Sequence, residues 1–239
     1  MKKDDAEGRR DFLKIAGLVG GTALVGGTAL AKAERTILTL QGESGDDVSP
    51  AEDLMREHGV LKRVMLVYEE VAERLMTRRR DVPPEVLTGA AGIIRTFIED
   101  YHEKLEEDYL FPRFEKAGKL VDLVSILRTQ HQRGRVLTDL IVNDATVKTI
   151  QGRDGSKRLV RRIRRFIRMY GPHEAREDTV LFPAIRSVVS PNEYDSLGEE
   201  FEKKEHQLFG EEGFEIYVNK VAELEKTLGI YELSQFTPE

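Results

Sequence analysis

An eleven-residue motif that occurs twice constrains the fold of this 239-residue chain more than any other feature. Residues 102–112 read HEKLEEDYLFP and residues 173–183 read HEAREDTVLFP, so both fit His-Glu-x-x-Glu-acid-x-x-Leu-Phe-Pro. A single histidine precedes each copy, His58 before His102 and His131 before His173. The sequence therefore predicts a duplicated pair of helices, and each copy supplies one histidine followed by His-x-x-x-Glu.

The spacing within the motif predicts that its polar side chains converge. Residues i and i+4 of an α-helix lie on one face, so His102 with Glu106, and His173 with Glu177, should each project to the same side. All four histidines of the duplicated unit follow the apolar stripes of their helices, which places the imidazoles in the interior. A buried glutamate is costly without compensation, and two divalent cations would supply that compensation.

Apolar residues recur three and four positions apart over most of the chain, which indicates amphipathic helices rather than strands. Short connections between them favour antiparallel neighbours. We expect an all-α fold: an up-down four-helix bundle over residues 50–189, and a C-terminal helical extension over 190–239 that packs as a hairpin outside the bundle. Residues 152–155 read Gly-Arg-Asp-Gly and are predicted to be a loop.

The first 33 residues have the layout of an export signal, and residues 34–49 of a polar linker. A basic leader precedes an uncharged run over residues 15–31, and Arg9-Arg10-Asp11-Phe12-Leu13-Lys14 resembles the twin-arginine signal of bacteria. This resemblance implies that the twin-arginine machinery exports the folded protein to the periplasm. The alternative is a membrane anchor, because about 17 residues is the lower limit for a span. An uncleaved signal would also tether the chain to the membrane.

Composition excludes several classes of protein. The chain has no cysteine, which excludes disulfides, cysteine-ligated zinc and iron–sulfur clusters. Its formal charge of −6 argues against a dedicated nucleic-acid binder, so no nucleic-acid partner is expected. Neither a phosphate-binding Gly-x-x-x-x-Gly-Lys loop nor a Gly-x-Ser-x-Gly nucleophile turn is present.

Imidazole and carboxylate ligands without sulfur suit iron, manganese or zinc. On the doubled motif, residues 50–189 resemble hemerythrin and, more closely, the bacterial hemerythrin-like HHE cation-binding domains. This resemblance implies two iron ions joined by an oxo or hydroxo group, with manganese or zinc less expected. The metal ligands that it implies are His58, His102, Glu106, His131, His173 and Glu177, with both glutamates as bridges.

The sequence departs from the oxygen-carrying hemerythrins at two positions. Arg135 stands four residues after His131, where that family has a further histidine. Asp178, five residues after His173, competes with Glu177 as the bridging carboxylate, although the internal repeat favours Glu177. Glu103 is an alternative extra ligand. The fifth histidine, His206, lies outside the repeat and is expected to be an exposed surface residue.

Three functions remain open from the sequence. The leading hypothesis is an exported non-haem di-iron protein that binds or senses a small diatomic or peroxide ligand, such as oxygen, nitric oxide or peroxide, or that handles iron. The second is a di-iron oxidoreductase with ferroxidase, peroxidase or nitric-oxide-linked repair activity. The third is a metal-free helical protein that serves only for interaction.

Overall fold

The computed structural model describes residues 48–77 and 81–238, and within these ranges every regular element is helical. This confirms the predicted all-α class. The seven helices are α1 (Pro50–Met76), α2 (Pro84–Ile93 and its continuation to Ala117), α3 (Val121–Asp144), α4 (Val147–Gln151), α5 (Arg153–Arg176 and its continuation to Ala184), α6 (Pro191–Phe209) and α7 (Gly213–Leu228). Short 3₁₀ turns cover Ile185–Ser187 and Leu233–Phe236.

Helices α1 and α6 begin with the same local chemistry. Ser49 accepts a hydrogen bond from the backbone N–H of Glu52 at 3.4 Å, and Ser190 accepts one from Glu193 at 3.3 Å. A proline follows each serine in the first turn, where its missing N–H leaves no carbonyl unpaired. The sequence therefore fixes the start of both helices.

Helices α2 and α5 contain π-helical turns at corresponding places in the two copies of the motif. The turns span Glu106–Leu110 and Glu177–Leu181, and α2 has another over Ile94–His102. In the first two, the N–H of the phenylalanine that ends the turn donates to the carbonyl of the glutamate five residues earlier. The prolines of the two Leu-Phe-Pro sequences come next and have no N–H to donate. Each Leu-Phe-Pro sequence thus follows or ends a π-helical turn at the same position in its copy of the motif.

The predicted loop over residues 152–155 is wrong. Only Gly152 separates α4 from α5, and α5 begins at Arg153. Gly155 lies within the first turn of α5, and a Cβ atom there would be 2.6 Å from the carbonyl oxygen of Thr149. The glycine therefore permits close contact between two helices instead of forming a turn.

The long helices pack around one apolar core. Helix α1 contacts α5 and α2, and α3 contacts α5 and α2. Helix α7 lies against α1 and α2, and its Tyr217 stacks on Phe97 of α2 at 4.4 Å between ring centroids. Helix α6 contacts α1 and α7, so both C-terminal helices cover the outside of α1. The core between α1, α2, α3 and α5 holds the polar site described next.

The described residues belong to one compact unit. No helix in the described part of the chain combines the length and the hydropathy needed to span a bilayer. The predicted twin-arginine signal, the membrane anchor considered as its alternative, and nearly all of the linker lie outside the described residues.

Candidate metal centre

The six residues that the sequence singles out lie together in the core. Helix α1 carries His58, α2 carries His102 and Glu106, α3 carries His131, and α5 carries His173 and Glu177. Their exposed fractions are 1% for His58, 2% for His102, 0% for Glu106, 0% for His131, 4% for His173 and 0% for Glu177. The prediction that the four imidazoles point inward is confirmed.

Each of the two glutamates lies between a histidine of its own copy and a histidine of the other copy. The oxygen-to-Nε2 distances are 3.1 Å for Glu177–His173, 3.5 Å for Glu177–His58, 3.4 Å for Glu106–His131 and 3.8 Å for Glu106–His102. The Nε2 atoms of His58 and His102 are themselves 3.0 Å apart. Six side chains from four helices thus share one small volume.

All four imidazoles direct Nε2 towards this volume because each Nδ1 has a hydrogen-bond partner. The partners are Asp178 at 2.7 Å from His58, Glu57 at 2.6 Å from His102, Glu107 at 3.1 Å from His131 and Gln130 at 2.8 Å from His173. A partner on one ring nitrogen fixes the orientation of the ring and leaves the other nitrogen for a metal.

The acidic residue that follows each central glutamate forms a hydrogen bond with a histidine of the opposite copy of the repeat. Glu107 belongs to the first copy and bonds His131 of the second, whereas Asp178 belongs to the second and bonds His58 of the first. Asp178 therefore contacts the outer nitrogen of His58, while Glu177 faces the inner one. This geometry favours Glu177 over Asp178 as the carboxylate of the centre.

The phenylalanines of the motif also contact histidines of the opposite copy. Phe111 of the first copy stacks on His131 at 5.5 Å, and Phe182 of the second stacks on His58 at 5.4 Å between ring centroids. Both rings are buried and parallel to the imidazole within about 30°. The Phe of each Leu-Phe-Pro thus holds the histidine of the other copy against rotation.

Cations occupy position +4 after both single histidines, with Lys62 following His58 and Arg135 following His131. Each cation pairs with two acids of the opposite copy. Lys62 Nζ lies 3.5 Å from Glu174 and 3.6 Å from Asp178, and the Arg135 guanidinium lies 2.8 Å from Glu103 and 2.9 Å from Glu107. Arg135 thus forms an ion pair at the position where the resemblance to oxygen-carrying hemerythrins implies a histidine.

Glu103, the alternative extra ligand, already has two partners. Its Oε1 accepts a hydrogen bond from the Tyr170 hydroxyl at 2.7 Å, and its Oε2 pairs with Arg135. Oxygens of Glu103 and Glu107 and a ring nitrogen of His131 lie within 4.8 Å of one another, close enough to hold a metal ion. Because Arg135 pairs with both acids, a cation of the protein itself already neutralises this group.

Tyr170 reaches Glu103 only because residue 134 is glycine. A Cβ atom on Gly134 would lie 1.9 Å from the Tyr170 hydroxyl oxygen and 2.7 Å from its Cζ. Gly134 lies one turn after His131, so the glycine allows α5 to place a phenol beside the site. By contrast, the hydroxyl of Tyr68, which is also buried, has no hydrogen-bond partner.

Burial and close charges shift the proton affinities of the cluster. Burial opposes protonation of His58, but its hydrogen bond to Asp178 and the nearby carboxylate of Glu177 raise its pKa to about 10. Burial likewise opposes protonation of His131, whose pKa is raised to about 10 by nearby acids, Glu103 foremost. The pKa of His102 is well below its usual value, because of burial and the neighbouring His58.

The two central glutamates are shifted in opposite directions. Burial and the charge of Glu177 raise the pKa of Glu106 to about 8. Burial also opposes ionisation of Glu177, but the His173 and His58 imidazoles hold its pKa well below the usual range. Without a metal, the cluster thus balances its charge by retaining protons.

The unpaired atoms at the centre fit a bound cation. Both carboxylate oxygens of Glu106, both of Glu177, and Nε2 of His131 are buried without a hydrogen-bond partner. Buried polar groups are nearly always paired, so five such atoms in one place need an explanation. Ligand atoms from Glu106, His131, His173 and Glu177 lie within 4.8 Å of one another, which is close enough for one ion. Nitrogen and carboxylate oxygen donors without sulfur suit iron, manganese or zinc.

His206 lies on α6 away from this cluster, and its side chain is exposed. The structure agrees with the expectation that it is a surface residue. It therefore provides a histidine whose replacement should leave the centre unchanged.

The His-x-x-x-Glu spacing does not reveal the partners of the outer nitrogens. Glu57 and Gln130 each immediately precede a single histidine, so they occupy equivalent positions in the two copies, as do Glu107 and Asp178. The signal for the first pair is a residue with a carboxylate or amide side chain immediately before each single histidine. The spacing of the residues does not predict which imidazole each partner contacts, because these contacts depend on how the helices pack.

Comparisons with known proteins agree with this site. The family model described as "Hemerythrin HHE cation binding domain" matches residues 49–185, and a second match covers 122–235. Similar relatives include uncharacterised proteins of Mycobacterium bovis and of the CDC 1551 and H37Rv strains of Mycobacterium tuberculosis. Each is 49% identical over 237 residues, which covers 98% of this chain and 92% of the relative. No solved structure matches the chain.

Proposed function

Given that this chain belongs to the family of hemerythrin HHE cation-binding domains, we propose that it is a non-haem di-iron protein. The proposed ligands are His58, His102, Glu106, His131, His173 and Glu177, with Glu106 and Glu177 shared between the two ions. The observation that carries this proposal is the pair of buried glutamates whose four oxygens have no hydrogen-bond partner although four imidazoles surround them.

The metal-free alternative, a helical protein that serves only for interaction, is disfavoured by the same observation. An unpaired buried carboxylate costs roughly 1–3 kcal/mol or more, and the described part of the chain contains two such carboxylates, each beside two imidazoles of one cluster. A purely structural core would be more stable with apolar residues at these positions. A bound cation explains why acids are present there.

Iron is the proposed metal, with manganese and zinc as less favoured choices. Bound iron would supply redox chemistry and open positions for a small ligand. The protein holds the imidazoles in place through their outer nitrogens, and the stacked Phe111 and Phe182 exclude water from two of the rings. Buried apolar neighbours limit access to small molecules, so we propose that the ligand is oxygen, nitric oxide or peroxide, or that the protein handles iron itself.

A second candidate function is oxidoreductase chemistry at the same centre. The observation that favours it is Arg135, which occupies the position of a histidine in the oxygen carriers and is held by Glu103 and Glu107. One imidazole fewer leaves more of the coordination sphere open than reversible oxygen carriage requires. Repeated turnover of peroxide or Fe(II) by the purified protein would support this function, whereas one binding event per centre would support a carrier or sensor.

We further propose that α1, α2, α3 and α5 form an up-down four-helix bundle. The pairwise packing of α1 and α3 with both α2 and α5 supports this topology. We also propose that the twin-arginine machinery exports the protein to the periplasm, and the basic and apolar pattern of residues 1–33 supports this proposal. Replacing Arg9 and Arg10 by lysine should keep the protein in the cytoplasm, which cell fractionation would detect.

Metal analysis of matched variants tests the proposed centre. We expect about two iron ions per chain in the wild type, as in other carboxylate-bridged bundles. His102→Ala and Glu106→Ala should each lower this content, because each removes a proposed ligand. His206→Ala should retain the wild-type content, since that side chain is exposed and distant from the cluster.

A wild-type protein that is purified without metal and takes up no Fe(II) would contradict the di-iron proposal. Equal metal content in the wild type and in both ligand variants would also contradict it. Circular dichroism of each variant shows whether a loss of metal reflects a loss of ligand or a loss of fold.

A further inference from the structure

We propose that iron enters and leaves the centre past Lys62, Glu174 and Asp178, which we call the Lys62 gate. This inference rests on the proposed di-iron function and adds the side of the molecule through which the metal passes. Lys62 lies at the surface of α1, and both acids are on α5 next to the proposed ligands His173 and Glu177.

Lys62 and Arg135 occupy equivalent positions in the two copies, on two sides of the centre. The Lys62 side is more exposed, and its ion pairs are longer. The side chain of Lys62 is 53% exposed, whereas that of Arg135, its counterpart, is 23% exposed. Lys62 lies 3.5 Å and 3.6 Å from its two acids, and Arg135 lies 2.8 Å and 2.9 Å from its own. Ion pairs longer than about 3.2 Å lack the short charge-assisted hydrogen bonds that hold a closed contact.

Further contacts lock the Arg135 side. The guanidinium also donates to the backbone carbonyl of Glu99 at 3.2 Å, so one side chain joins three residues. Glu103 beneath it is 1% exposed and accepts a hydrogen bond from Tyr170. Opening this side would therefore leave several buried polar groups unpaired, which is costly.

Glu174 has the properties of an intermediate binding position for a cation that passes the Lys62 side. Its side chain is 4% exposed, and its Oε2 is buried without a hydrogen-bond partner. In the other copy, Oε2 of the corresponding residue Glu103 has an ion pair with Arg135 at 2.8 Å, whereas the ion pair of Glu174 with Lys62 is longer, at 3.5 Å, and involves Oε1. A free carboxylate oxygen is a ligand that a hard divalent cation accepts, so Glu174 can receive an ion before the central glutamates do.

Asp178 extends this path to the solvent. Its side chain is 23% exposed, and Oδ2 faces Lys62 while Oδ1 holds the outer nitrogen of His58. Carboxylates thus run from the surface at Asp178, through Glu174, to Glu177 within one turn of α5. An incoming cation would stay next to an acid at each stage and would avoid crossing apolar core.

Lys62 closes the path as a movable positive charge. Its ammonium occupies the position between the two acids that a passing cation would need, and the two charges repel each other. A lysine carries this charge on a flexible four-carbon stem, and an exposed side chain changes rotamer within nanoseconds. An arginine at the same place would hold both acids more firmly through its planar fork.

The test compares metal-transfer rates in three variants of the full chain. Lys62→Met keeps the aliphatic stem and removes the charge, and Lys62→Arg keeps the charge and tightens the contact. Lys104→Met is the matched control, because Lys104 is 46% exposed and pairs with Glu107 on the Arg135 side. The measurements are anaerobic Fe(II) uptake by the metal-free protein and removal of Fe(II) from the loaded protein by a chelator.

We expect Lys62→Met to speed both uptake and removal by about twofold to fivefold, which corresponds to losing one exposed ion pair. Lys62→Arg should slow both rates, and Lys104→Met should leave both unchanged. All variants should bind as much iron at equilibrium as the wild type, since none removes a proposed ligand.

Wild-type rates in both Lys62 variants would overturn the gate, as would equal acceleration by Lys104→Met, which would indicate a general effect of surface charge. A faster uptake with unchanged removal would overturn it too, because a shared path must affect both directions. A wild-type chain that binds no iron contradicts the di-iron function itself, whereas normal iron content with unaltered rates contradicts the gate alone.

Discussion

Glu106 and Glu177 occupy the same position in the two copies of the motif but differ in proton affinity. The pKa of Glu106 is raised to about 8, mainly by burial, whereas that of Glu177 is lowered because the His173 and His58 imidazoles outweigh burial. At neutral pH the metal-free chain thus holds a proton on one member of the pair. This difference between residues with the same sequence context leads to two predictions.

Glu106→Gln should stabilise the metal-free protein in weakly alkaline solution. The folded pKa of Glu106 lies above its ordinary value of 4.5, so the folded state binds the extra proton and wild-type stability falls as pH rises from 4.5 to 8. The glutamine removes this loss, and we expect a gain of about 1–3 kcal/mol above pH 8. Urea unfolding of both metal-free proteins at several pH values measures the gain, and an unchanged difference across that range would contradict it.

Metal binding should release protons and should strengthen as pH rises. In the metal-free chain His58 and His131 are protonated below about pH 10, and Glu106 below about pH 8. A metal must displace these protons, so lower pH favours the metal-free state. Calorimetric titration with Mn(II) in buffers of different ionisation enthalpy should show release of about three protons near neutral pH. Proton release near zero, or affinity that is independent of pH, would disagree with this assignment.

At the scale of helices, the centre depends on close contact between α3 and α5. Gly134 on α3 leaves room for the hydroxyl of Tyr170 on α5, and that hydroxyl bonds Glu103 on α2. The contact among these three helices therefore depends on the absence of a side chain at residue 134. The π-helical turns that follow His102 and His173 add a second local requirement, since they place the phenylalanine and the acid of each motif against the other copy.

Gly134→Ala should destabilise the fold. Its Cβ atom would lie 1.9 Å from the Tyr170 oxygen, so α5 or the tyrosine must move. We expect a loss of about 1–3 kcal/mol in the free energy of unfolding, the usual cost of overpacking. Tyr170→Phe in the same chain should recover part of the loss, because it removes the atom that clashes. Additive effects of the two changes in a double-mutant cycle would disprove this contact.

At the scale of the whole molecule, the C-terminal helices support the helices that carry the ligands. Tyr217, Val221 and Leu228 of α7 are buried, and Arg63 of α1 donates to Glu225 of α7 at 2.9 Å. Helix α7 also contacts α2, which carries His102 and Glu106. The hairpin thus braces two helices of the centre from outside.

Ending the chain at residue 209 should therefore lower the free energy of unfolding by about 4 kcal/mol or more, since each large apolar side chain that loses its burial costs roughly 1.5–3 kcal/mol. The reason is the loss of α7 from α1 and α2. Ending it at residue 230 is the control, because residues 231–238 are exposed, and its effect should stay below about 0.5 kcal/mol. Urea unfolding measures both, and a chain ending at 209 with wild-type stability would show that α7 is dispensable.

The sequence predicts that the six residues of the candidate site lie together in the interior, because their chemistry repeats at fixed helical spacing; that they bind metal stays a prediction. The motif identified His102 and Glu106, and their equivalents in the second copy, since i and i+4 must share a face. It could not predict that Glu107 and Phe111 contact the opposite copy, because such contacts depend on how the helices pack. The error at residues 152–155 has the same origin, since Gly155 permits close contact between two helices instead of forming part of a loop.

The crossing contacts make the centre resemble the interface of an isologous dimer enclosed within one chain. In such an interface, residue i of one half meets residue j of the other, and j meets i in return. The Glu107–His131 and Asp178–His58 pairs, and the two Phe–His stacks, obey this rule. Either half expressed alone would therefore lack the acid and the phenylalanine that hold its single histidine, His58 or His131. Only association with a complementary half could restore these contacts.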